Sequence, residues 1–199
     1  MEKVGIVKLK EFVKEEKFLS IAWAIVITMA SSVVLNLGAL ITAGLSSWLS
    51  YEMLAAILAL SVLISFVAVP ILLYEKLLDY KDKINLDYKV FFLFLFLFLF
   101  LIQFVEFSMA IHFLAIGVGE EYLFRKIHFD YLKEKGGVVF SLIVTSVLFA
   151  FLLHLNESFL SNLLIRFPLG ILLGLIRIRW GTPAAAGIHW IYNVLTTLL

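Results

Sequence analysis

GVGEEYLFRKIHFDYLKEKG, residues 117–136, sets the number of helices in this chain. Its composition is helical, yet it is dense in charge, with Glu120, Glu121 and Arg125 near its start. Upstream, residues 90–116 are apolar and open with the run FFLFLFLFLFL. That run has no polar face, so it is expected to meet lipid as an anchor. Earlier still, 18–44 and 52–74 each supply the roughly 20 apolar residues that a hydrocarbon core of about 30 Å requires. An uncharged turn, 45–51, joins them, and a charged loop, 75–89, follows. Downstream, 137–155 and 158–178 read as apolar helices. A short last helix covers 182–199, with Thr182 as its N-cap and Pro183 at its first position. If 117–135 continues a crossing, the chain has about seven helices. If it extends the preceding helix into the interface, there are about six and the later half inverts. Either way the fold class is all-α, a polytopic transmembrane helix bundle.

Composition supports that class. Of 199 residues 63% are hydrophobic, and the mean hydropathy is +1.05. A soluble fold lacks the polar residues to cover so much apolar surface. The formal net charge of +1 gives no field suited to nucleic acid. The absence of cysteine excludes disulfides, thiolate metal sites and a cysteine nucleophile. Residues 1–17 alternate lysines and glutamates and read as an interfacial segment, either a short amphipathic helix or a solvated tail. Residues 18–199 read as one integral membrane domain. The apolar stretch from Phe18 exceeds the about 7–15 residues of a signal-peptide core, so it is expected to be retained. Basic residues cluster at 3–17, 76–89, 125–135 and 177–179, whereas 45–51 has none. The positive-inside rule then predicts a cytoplasmic N-terminus, in a cell membrane.

Ionisable groups inside a bilayer cost about 2.5–3.5 kcal/mol each even on lenient scales, so those present are functional candidates. The set is Glu106, His112, Glu120, Glu121, Arg125, His154, Arg166 and His189, with polar Gln103 and Asn193. Glu121 and Arg125 stand four apart, so their side chains meet on one helix face. Glu120 points about 100° away and remains open to a cavity. His189 and Asn193 also share a face, and His154 stands alone at the end of an uncharged helix. Each has a plainer reading: a structural ion pair for Glu121 and Arg125, interfacial groups for Glu120 and His154, interhelical glue for His189 and Asn193. Glu106 and His112 read as a hydrogen-bonded pair between helices, and Arg166 and Arg177 as snorkelling or anchoring residues.

Together the set supports hydrolysis. A partly desolvated carboxylate becomes a usable general base. Water held between Glu120 and His154 would attack, while His189 and Asn193 would donate hydrogen bonds to the oxyanion.

The order Glu120-Glu121-Tyr122-Leu123-Phe124-Arg125, then Phe151-Leu152-Leu153-His154, then His189-Trp190-Ile191-Tyr192-Asn193 resembles the CPBP family of CAAX-processing and bacteriocin-processing membrane proteases. The likeness covers about residues 105–199, the motif-bearing core. It implies that Glu120 and His154 activate water, that His189 and Asn193 form the oxyanion site, and that Glu121 and Arg125 support them. Two positions depart from the family's pattern. Ala150, flanked by Phe149 and Phe151, stands where a Phe is usual four residues before the His, and Lys126 replaces a Gly after the Arg.

The expected function is an intramembrane endopeptidase acting on a membrane-embedded or lipidated protein. The alternative is a non-catalytic protein of the same fold that binds a membrane partner, as an immunity or scaffold protein would. A small transporter or proton relay ranks third, since the chain has no internal repeat. No cofactor is expected. Were zinc involved, Glu120, His154 and His189 would be its ligands, the usual number for a catalytic site, but glutamate chemistry is preferred because no HExxH-like pair exists.

Overall fold

Apolar side chains alone do not hold a helix in lipid; every backbone N–H and C=O must also be satisfied within the segment. The computed structural model describes residues 2–82 and 88–198, with side chains for 13–82 and 94–198. The described residues form helices α1 (Glu2–Leu45), α2 (Tyr51–Leu78), α3 (Tyr88–Leu101), α4 (Phe107–Gly136), α5 (Val138–Leu153), α6 (Phe159–Trp180) and α7 (Thr182–Leu198), and no strand. Within them Val13–Leu45, α2, α4 and α6 are long and apolar enough to cross a membrane. Thr28, Ser61, Ser65, Thr145 and Ser146 return their hydroxyls to the carbonyl four residues back, so these donors are satisfied within their own helices.

Residues 117–136 continue the helix before them, one of the two alternatives, but that helix begins at Phe107, so the apolar stretch 90–116 is not one helix. The break falls at 102–106, after the Phe-rich α3, where Gln103 and Glu106 are exposed. Glu106 is the N-cap of the helix that carries His112, so the two are not a pair between helices. The N-terminal backbone is helical from Glu2 and runs unbroken into the first span; the side chains of 2–12 lie outside the described residues.

α4 is the central element, and small residues let its neighbours approach. A Cβ on Gly117 would lie 3.1 Å from the Ala186 carbonyl oxygen and 3.2 Å from the Trp190 nitrogen, so α4 and α7 meet backbone to backbone. A second weld joins α4 to α1 and α2. The Thr28 hydroxyl donates to the Ala24 carbonyl at 2.8 Å, so it accepts from His128 Nε2 at 2.9 Å. Tyr74 Oη then donates to His128 Nδ1 at 2.8 Å. All three side chains are buried, and each polar atom has a partner.

Four turns of π-helix interrupt the α-helices: Ile64–Ala68 in α2, Tyr122–His128 in α4, Leu148–Leu153 in α5 and Asn162–Arg166 in α6. A π-turn shifts the register of side chains and recurs at functional sites. Those in α4, α5 and α6 surround the polar cluster described next.

Candidate active site

Glu120 and Glu121 end the α-helical part of α4, just before its π-turn, and both are buried. Glu121 Oε2 lies 3.3 Å from Arg125 Nε, one turn on, and neither side chain is exposed at all. The guanidinium has two further contacts. Arg125 Nη2 donates to the Gly170 carbonyl at 3.2 Å, and the Arg125 plane lies 4.5 Å from the Phe149 ring centroid. A Cβ on Gly170 would sit 3.1 Å from Ser146 Cβ and 3.2 Å from Ser146 Cα, so the missing side chain lets α6 close on α5 there.

His189 enters from α7, carried in by the close approach at Gly117. Its ring spans both carboxylates: Nδ1 is 3.0 Å from Glu121 Oε1, and Nε2 is 3.8 Å from Glu120 Oε2. With Nδ1 held on Glu121, only Nε2 faces Glu120. The spacing of His189 and Asn193 did not foretell this. Asn193 is half-buried one turn further along α7, and the hydrogen bonds of the described residues include none from its amide.

His154 follows the π-turn that ends α5, with φ −105° and ψ 47°, outside helical geometry. It reaches the cluster through Phe149, whose ring stands edge-on to His154 at 5.3 Å and to His189 at 5.8 Å. The departure at Ala150 is thereby resolved. In an α-helix the residue four before His154 would lie beneath it; in the π-turn the residue five before does, and that is Phe149.

Of the two alternatives for Arg177 and Arg166, both side chains anchor. Arg177 Nε donates to the Arg125 carbonyl at 2.8 Å, the guanidinium pairs with Asp130, and it lies 4.1 Å from the Phe129 centroid. Thr182 Oγ1 donates to the same Arg125 carbonyl at 3.4 Å. Arg166 pairs with Glu157 at 3.0 Å and contacts Ser161 and Asn162. Lys126 is neutralised between Asp82 at 2.6 Å and Asp130 at 3.0 Å, and Tyr122 Oη donates to Asp82 at 2.6 Å. Beside them Tyr80 has its phenol pushed well above its ordinary range by burial and by the nearby Asp130 carboxylate.

Sequence reasoning missed Phe149, Gly170, Asn162 and Arg177. A lone amide in the run Leu160–Ile165 was a signal for Asn162; the reading weighed ionisable groups and passed it by. Phe149 had no signal, because a π-turn is not visible in side-chain periodicity. As for a metal, no group of three or more His, Asp or Glu side chains among the described residues gathers as a ligand set. Glu120, His154 and His189 do not form such a group.

The model of the family described as type II CAAX prenyl endopeptidase Rce1-like matches residues 89–195. That span runs from α3 into α7 and contains every residue of the cluster. No curated protein and no solved structure matches the chain.

Proposed function

Because this chain belongs to the type II CAAX prenyl endopeptidase Rce1-like family, we propose that it is an intramembrane endopeptidase that cleaves a membrane-embedded or lipidated protein by glutamate chemistry, with Glu120 as the base. The observation that supports this most is that the two ring nitrogens of His189 face two different buried carboxylates.

Charge balance explains the arrangement. Glu120 and Glu121 as carboxylates, with Arg125 and a doubly protonated His189, sum to zero. A neutral cluster is tolerable in an apolar bundle where unbalanced charge is not. In this reading Glu121 is committed to Arg125 and to His189 Nδ1, which leaves Glu120 to act. Glu120 takes a proton from water, and the water oxygen attacks the scissile carbonyl carbon. The oxyanion accepts hydrogen bonds from His189 Nε2–H and the Asn193 amide. As the tetrahedral intermediate collapses, the C–N bond breaks and the proton on Glu120 passes to the leaving amine. His154 assists by orienting the attacking water.

The test is cleavage of a peptide panel, prenylated CAAX tails included, by purified protein in lipid. Glu120→Gln and His189→Ala are each expected to lose cleavage, and His154→Ala to keep only a small residual rate, while all three remain in membranes. Full activity in any one of them removes its role. A strong chelator is expected to leave the rate unchanged; loss restored by added zinc would overturn the glutamate mechanism. A partner that binds both parent and Glu120→Gln and stays intact would favour the non-catalytic scaffold instead.

A further inference from the structure

His154 lies outside the helix that leads to it, so helical geometry does not aim its ring. Its backbone must be fixed by something else. The His154 carbonyl accepts two hydrogen bonds, one from the Glu157 backbone N–H at 3.2 Å and one from Asn162 Nδ2 at 2.9 Å. The first closes only a local turn. The second crosses from α5 to α6.

Asn162 is the unusual partner. Only 3% of its surface is exposed, although Leu160, Leu163, Leu164 and Ile165 around it all face outward. A buried primary amide is stable only when both its ends are paired. Nδ2 goes to His154. Oδ1 accepts from Arg166 Nη1 at 3.4 Å, and the same nitrogen donates to Ser161 Oγ at 2.9 Å. Arg166 Nη2 meets Glu157 at 3.0 Å. Since a guanidinium only donates and a carbonyl only accepts, the amide has a single orientation that satisfies both neighbours. Arg166, Asn162 and Glu157 thus close the 154–158 turn from both sides. The π-turn begins at Asn162 itself.

We infer that Asn162, held by Arg166, is a positioning residue: it clamps the His154 backbone so that the imidazole stays against Phe149 and toward the Glu120–His189 cluster. This rests on the protease reading for its consequence in catalysis, but not for the clamp.

Two measurements test it. Asn162→Ala is expected to lower kcat by about 10- to 100-fold with KM little changed, as loss of alignment does. The same substitution in a His154→Ala background is expected to cost nothing more, because the group it positions is gone. An equal loss in both backgrounds would make Asn162 an independent or merely structural residue and overturn the proposal. The second measurement needs no activity. The chain has 4 histidines, and imidazole nitrogen NMR resolves each. Asn162→Ala is expected to move the His154 resonances and leave His112, His128 and His189 in place. Unchanged His154 signals, or shifts in all four, would overturn the clamp. If the parent cleaves nothing while the NMR result holds, the protease reading fails and the clamp stands.

Discussion

Glu121 carries two obligations in one carboxylate, Arg125 on one oxygen and His189 on the other. In a fully buried setting, removing one partner strands the other, at a cost of about 3–5 kcal/mol. Arg125→Met alone is therefore expected to lower the unfolding midpoint in detergent sharply, since Glu121 keeps its charge with only His189 to balance it. Glu121→Gln alone strands the guanidinium. The double variant should be milder than the sum of the singles, with a coupling of about 0.5–3 kcal/mol. Strict additivity in unfolding experiments would mean that the 3.3 Å approach is not an energetic pair. The Glu121–Arg125 contact was legible in the sequence because four-residue spacing on a helix fixes neighbours without knowledge of the fold. The His189–Glu121 contact was not. It depends on α7 closing on α4 at Gly117, and nothing in the spacing of His189 and Asn193 encodes which helix they face.

The π-turn of α5 shows where pattern reading stops. Side-chain periods of 3.6 and 2 are visible in a sequence, but a single extra residue in one turn is not. For that reason Ala150 looked like a defect beneath His154, whereas Phe149 occupies the place. The same limit hid the α3–α4 break. Through 90–116 the residues are almost uniformly apolar, so no period marks the stop at 102–106, and only Gln103 and Glu106 hinted at it. A substitution pair probes the π-turn. Phe149→Ala is expected to cost about 3–5 kcal/mol in stability, as for other buried aromatics, and about 10-fold or more in cleavage through lost alignment. Adding Ala150→Phe moves the ring to the position the family's pattern favours. Ala150 is fully buried in the π-turn, so the new ring has no space and activity is expected to stay low. Recovery of the parent rate in the double variant would mean that the segment is α-helical when the protein works.

Three ion pairs draw the basic clusters of the sequence to one end of the bundle. Lys135 of α4 meets Glu16 of α1 at 3.8 Å, Lys126 meets Asp82 beyond α2 at 2.6 Å, and Arg177 of α6 meets Asp130. The uncharged turn at 45–51 lies at the far end of α1 and α2 from those contacts. Basic segments scattered over the first 180 residues thus share one side, the distribution that the positive-inside rule assigns to the cytoplasm. We therefore expect the N-terminus and the α4–α5 junction inside, with 45–51 outside. The chain has no cysteine, so single cysteines report cleanly. Ser47 and Glu134 are both exposed. In intact cells a membrane-impermeant maleimide should label Ser47→Cys, while Glu134→Cys should react only after permeabilisation. The reverse pattern would invert the protein. Orientation then constrains how substrate arrives. Glu120 lies six residues before Lys126, about 9 Å of helix rise from the nearest of those ion pairs. With that end in the cytoplasm, a segment held at the inner face of the bilayer by a lipid is expected to reach the cluster from the cytoplasmic side.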